Sequence, residues 1–179
     1  MNKTSKTAPV VDNALPHTEQ SGRFWENRKD RFHCGVDIYA RLQSTVYAIE
    51  AGQIVSVHTF TSPRIISYWN TTLALVLEGI NGYLFKYAEL DSVTVEIGAR
   101  VSAGDVIGRV GQVLNEQMID DFSPGYIRRL KQNGYTSMLH FEVYKQRPFI
   151  LDAYCGGNLF SENQPENLCD PAIFMNPEL

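Results

Sequence analysis

Two of the four histidines in the chain, His17, His33, His58 and His140, stand where metal chemistry could be built. His33 lies in Arg31-Phe32-His33-Cys34-Gly35-Val36-Asp37, with a carboxylate four residues later. That spacing puts His33 and Asp37 on one face of an extended strand, and equally on one face of a helix. A histidine and a carboxylate are a common pair for zinc or another transition metal, but two donors do not make a site. The same pattern recurs by chance, and a surface ion pair is its plainer reading. His140 lies in Ser137-Met138-Leu139-His140-Phe141-Glu142-Val143-Tyr144, a strand by composition. Alternation places Met138, His140 and Glu142 on one face and Leu139, Phe141 and Val143 on the other, which is expected to be the buried one. His140 becomes a third donor if its strand runs beside that of His33 and Asp37.

The remaining candidates are weaker. His58, in Ser56-Val57-His58-Thr59-Phe60, could reach such a site from a strand end or simply be exposed. Glu142 could orient His140 from behind, or sit exposed on its strand. Cys34 adjoins His33, but a histidine committed to a metal cannot also activate a thiol, so Cys34 reads as packing. The chain has three cysteines and no CxxC pair, which excludes a cysteine-rich zinc knuckle. Cys155 and Cys169 flank a Gly/Asn/Pro-rich loop and could be bridged or free.

These side chains need a scaffold. The chain has 179 residues, 44% hydrophobic and 20% charged, which suits one globular domain with a proper core. Its formal net charge of -4, without a run of Lys and Arg interleaved with aromatics, argues against polyanion binding, so no nucleic-acid partner is expected. The opening MNKTSKTAPVVDNALPHTEQ has no apolar stretch of signal-peptide length, and no segment approaches a membrane span. Residues 1–20 read as a flexible arm and 21–179 as a single domain. Strand-like runs follow at 36–40, at 45–60 with a break at Ala51-Gly52, at 71–77 and at 83–87. Asn81-Gly82 between two apolar runs predicts a hairpin. Short runs at 93–97 and 105–110, punctuated by glycines, complete a mostly β, antiparallel sandwich or barrel-like sheet. The interval 114–136 breaks the rhythm. There Ser123-Pro124 predicts a helix start, and Asn133-Gly134 its end.

Several ordered pieces resemble the lysostaphin-type zinc metalloendopeptidases, which cut peptide cross-links of bacterial peptidoglycan. Gly22-Arg23-Phe24, Arg28 and Arg31 to Ile38 look like the family's first signature. Ser44 to Ala48 with Ala51 to Val55 is similar to its "G-T-x-V-x-A … D-G-x-V". Tyr87 to Leu90 followed by Val95 to Gly108 is similar to its "Y-x-H-L … V-x-x-G … V-x-x-G-x-x-I-G". Leu139 to Val143 matches the end of "H-L-H-F-E", and Asp170-Pro171 the closing "D-P". The match runs in order from about Gly22 to Phe174. It implies the all-β fold of that family (a duplicated hybrid motif) with a helical insertion. It also implies a Zn2+ cofactor held by His33, Asp37 and His140, with a fourth position left to water. The family is usually periplasmic or extracellular.

The chain departs from the pattern at two positions. The histidine of "Y-x-H-L" is Glu89 here, and the first of "H-x-H" is Met138. In the family these two act on the zinc-bound water and the developing oxyanion. Met138 can do neither, whereas Glu89 can take a proton and is a candidate base. Leukocyte cell-derived chemotaxin, a non-catalytic zinc protein of the same fold, is similar in its opening segment and in a long connection before the last histidine strand. The leading expectation is therefore a zinc-binding member of the family with doubtful or altered peptidase activity. A non-catalytic module binding a cell-wall peptide or a protein partner comes second, and an active hydrolase using Glu89 third.

Overall fold

The structure, a computed structural model, describes residues 10–12, 22–149 and 151–175. In chain order it contains β1 (Phe32–His33), β2 (Val36–Tyr39), β3 (Thr45–Tyr47), β4 (Gly52–Thr61), β5 (Thr72–Gly79), β6 (Leu84–Val93), β7 (Arg100–Val101) and β8 (Val106–Val110). Helix α1 (Gly125–Gln132) precedes β9 (Met138–Tyr144), β10 (Tyr154–Cys155), β11 (Asn158–Leu159), β12 (Leu168–Cys169) and helix α2 (Ala172–Met175). The strand pairings are antiparallel, so the fold is all-β, as expected. Among the described residues, no helix is long and apolar enough to cross a membrane.

The central strands β4, β5 and β6 form a meander. The β5–β6 turn falls at Asn81-Gly82, where Gly79 N–H donates to Tyr83 O at 2.8 Å and Gly82 adopts a φ of 82°. That conformation costs glycine nothing. The main core lies on one face, with Ile54, Leu75, Leu77, Phe85, Tyr87, Leu139, Phe141 and Val143.

β9 was expected to be buried on one face only, but all seven of its residues are buried. Leu114, Ile127 and Leu130 of the segment 112–136, together with Tyr39 and Trp69, cover Met138. The C-terminal strands cover Tyr144 with Leu159 and Leu168. β9 is thus an interior strand, hydrogen-bonded to β6 and to β2.

Three local expectations change. α1 forms, but Pro124 rather than Ser123 occupies its N-cap, without a side-chain cap. The Ser123 hydroxyl is already committed to Asp120, donating to its Oδ1 at 3.0 Å and accepting from its N–H at 3.1 Å. The run at 93–97 is not a separate strand; β6 extends to Val93 and the chain then turns. Val10 to Asp12, placed in the arm by the sequence, pack on β3: Tyr47 N–H donates to Val10 O at 2.9 Å, and Asp12 N–H to Thr45 O at 3.0 Å. The rest of that stretch, His17 included, lies outside the described residues.

Candidate metal centre

Long-range pairing brings the three candidate ligands together. Asp37 on β2 sits directly opposite His140 on β9, and Ala88 on β6 flanks His140 from the other side. His33 belongs to a separate small sheet, β1-β11-β10, where it pairs with Asn158. The loop before β1 folds back onto it: His33 N–H donates to Glu26 O at 3.0 Å, and Trp25 N–H to His33 O at 2.8 Å.

The hydrogen bonds at the back of each ring fix its front. His33 Nδ1–H donates to Arg23 O at 2.9 Å, so Nε2 presents a lone pair inward. His140 Nε2–H donates to Glu142 Oε1 at 2.7 Å, so Nδ1 is the inward atom. His33 Nε2 and His140 Nδ1 stand 3.0 Å apart, with Asp37 Oδ1 at 3.1 Å from the first and 2.9 Å from the second. Three electron-pair donors facing one another at this separation repel unless a cation lies among them. Bonds of zinc length in a tetrahedron would space the ligand atoms by about 3.3 Å, close to what is found. The cluster could therefore hold a metal ion. Without one, a proton must serve. Burial works against charging His140, but hydrogen bonds to Asp37 and Glu142 win and raise it to about 9. Burial lowers His33, aided by the nearby Arg28 charge.

The carboxylate is clamped. Arg28 donates to Asp37 Oδ2 at 3.1 Å, to Asn158 Oδ1 and Glu26 Oε2 at 3.0 Å each. Burial opposes ionisation of Asp37, yet His33, His140 and Arg28 hold it well below the usual carboxylate range. Gly157 closes the far side: a Cβ there would meet the His140 ring at 2.5 Å.

Glu89 and Met138 line the same chamber as the three candidate ligands. Glu89 sits at a φ of 65°, uncommon for a residue with a Cβ. Its Oε2 is buried without a hydrogen-bond partner. Burial, with Asp37 adding, pushes its carboxyl up to about 8. Glu142 stands behind His140, one of the two places the sequence left open for it. His58 does not line the chamber among the described residues; on β4 it meets Ser56 Oγ at 3.1 Å. Cys34 is buried, and all three cysteines are free, so Cys155 and Cys169 are not bridged.

Arg28, Lys86, Tyr154, Gly157 and Asn158 escaped the sequence reading as parts of the site. For Arg28 a signal existed, since the resemblance includes it. For the others the partners lie 12 or more residues away and leave no local pattern.

Residues 31–150 match the family model of peptidase family M23. No curated protein matches the chain in sequence. Among solved structures, the fold is similar to that of LytU, with 19% identity, a TM-score of 0.52, and 97% of this chain and 89% of that one covered. It is also similar to a Pseudomonas aeruginosa protein described as an M23 peptidase, with 16% identity, a TM-score of 0.52, and 94% and 49% covered. Lysostaphin of Staphylococcus simulans, an antimicrobial peptidase, matches at 19% identity and a TM-score of 0.50, with 95% and 49% covered. The chain thus spans about half the length of the last two.

Proposed function

The chain belongs to peptidase family M23, and we propose that it is a zinc-binding domain of that family that keeps the metal centre without cleaving peptide. The observation that carries this reading is the space in front of the cluster. His33, Asp37 and His140 open on a chamber of about 40 Å³, walled by Tyr126, Ile127 and Leu130 of α1. A water needs about 10–15 Å³ of such space, so the chamber has room for about three waters and none for an extended peptide. When bound, zinc would polarise a carbonyl and lower the pKa of its water to about 7.

The chain's own groups supply little else. The Met138 thioether neither takes a proton nor donates a strong hydrogen bond. Without a metal, Glu89 is pushed up to about 8 by burial and by Asp37, and is protonated at neutral pH. Losing one general acid or base costs about 100- to 10,000-fold in rate. On this reading the domain is a zinc-stiffened module that binds a cell-wall peptide or a protein partner.

A second reading keeps activity, with Glu89 as base. The observation that favours it is the Glu89 Oε2, buried without a hydrogen-bond partner on a residue that lines the chamber.

Elemental analysis paired with turnover separates the readings. We expect about one zinc per chain and no cleavage on a panel of peptidoglycan fragments. Replacing both residues with histidine, Glu89→His with Met138→His, restores the missing pair and tests whether the chamber alone blocks cleavage. Turnover by zinc-loaded wild type that falls on Glu89→Gln would establish the second reading. Absence of zinc in wild type, even after its addition, would remove the metal from both.

A further inference from the structure

A lysine lies where a central strand should bury an apolar side chain. Lys86 on β6 sits opposite Glu142 on β9 and is 3% exposed. Its Nζ lies 3.2 Å from Glu142 Oε2 and donates to Tyr154 Oη at 2.6 Å. Tyr154 Oη in turn donates to Glu142 Oε1, and Tyr144 Oη donates to Glu142 Oε2 at 2.6 Å. With His140 Nε2–H at 2.7 Å, each carboxylate oxygen of Glu142 receives two donors. A carboxylate satisfied in this way has no freedom to rotate. The Phe60 ring packs against both ends of the chain of contacts, 5.1 Å from Lys86 Nζ and 5.7 Å from the His140 ring.

We infer that Lys86 and Tyr154 are positioning residues for the metal centre: they lock Glu142, and through it the direction of the His140 Nδ1 lone pair, and so set affinity for a divalent cation. This rests on the reading that His33, Asp37 and His140 hold zinc. The connection has a topological purpose. Tyr154 belongs to β10, in the same small sheet as His33, whereas Lys86, Glu142 and His140 belong to the large one. The network therefore ties together the two sheets that must each deliver a ligand. A purely structural role makes a different prediction: lost stability with zinc affinity unchanged, since removing one partner of a buried ion pair destabilises the fold.

Zinc affinity, read by competition with a chromophoric chelator, is the test. Tyr154→Phe, Lys86→Met and the double change Lys86→Met with Glu142→Gln are each expected to weaken zinc binding about 10- to 100-fold while the metal-free circular dichroism is kept. Tyr154→Phe preserves the ion pair, so it decides the matter if Lys86→Met does not fold. In metal-free protein, the His140 Nε2–H should give a low-field, exchange-protected proton signal that shifts in Tyr154→Phe. Wild-type zinc affinity and an unshifted His140 signal in Tyr154→Phe overturn the inference. A wild type that binds no zinc sinks the proposed function and this inference with it, whereas zinc bound by the wild type and equally by Tyr154→Phe sinks this inference alone.

Discussion

Replacing Gly157 by alanine should damage the candidate metal centre from behind. Gly157 has a φ of 78°, and a Cβ built there would lie 2.5 Å from His140 Cε1, 2.7 Å from Nε2 and 3.0 Å from Nδ1. Carbon atoms prefer about 3.5–4.0 Å, so the ring or the loop must move by about 1 Å. The ring has nowhere to go: Glu142 holds Nε2 at 2.7 Å, Asp37 lies 2.9 Å from Nδ1, and the backbone is paired on both sides. A left-handed conformation costs an alanine about 1–2 kcal/mol. Losing one hydrogen bond to a charged group costs about 1.5–3 kcal/mol. Together these predict about 3–5 kcal/mol, which lowers Tm by about 6–20 °C for a chain of this size. Thermal melting of metal-free Gly157→Ala measures the loss, and zinc titration should show weakened binding. A Tm within about 2 °C of wild type, with zinc affinity unchanged, would refute the close packing of this turn on His140.

Other expectations follow from the same geometry. Metal-free protein should lose stability as pH rises from about 6.5 to 9; below 6.5 the lowered His33 works against the trend. His140, raised to about 9 from 6.5, contributes stability that is fully present below 6.5 and lost through 9. Glu89, raised to about 8 from 4.5, does the same from 4.5 upward. The His140 part is worth about 3 kcal/mol. On the acid side, Asp37 and Glu142, both held low, contribute stability present above the ordinary carboxylate range and lost as pH falls below it. A Tm that stays flat or climbs between pH 6.5 and about 9 contradicts this, and zinc should shrink the alkaline loss. Thiol titration should find three reactive groups per unfolded chain but, in the native protein, chiefly the half-buried Cys155. One thiol per unfolded chain would mean a disulfide.

Much of the scaffold was legible in the sequence because its signals are local. The run 138–144 and the Asn81-Gly82 hairpin appear where periodicity and turn chemistry put them. Boundaries failed where a side chain found a better partner, as Ser123 did with Asp120. The burial of β9 was not legible because no local pattern places α1 or the C-terminal strands on its second face. For the candidate site, the spacing of His33 and Asp37 left an ion pair open, and the family resemblance supplied His140. Lys86 shows what sequence could not reach. It is tolerated in the interior by Glu142 on the neighbouring strand and by Tyr154, 68 residues away. The φ of Glu89 is equally silent in sequence.

The central claim is that this domain keeps a zinc centre with a specific set of donor atoms. Anomalous diffraction at the zinc edge, from crystals of protein purified without chelators, tests it most directly. One zinc peak is expected within about 2.0–2.2 Å of His33 Nε2, Asp37 Oδ1 and His140 Nδ1. Zinc seated elsewhere, bound through His140 Nε2, or absent after soaking would contradict the account.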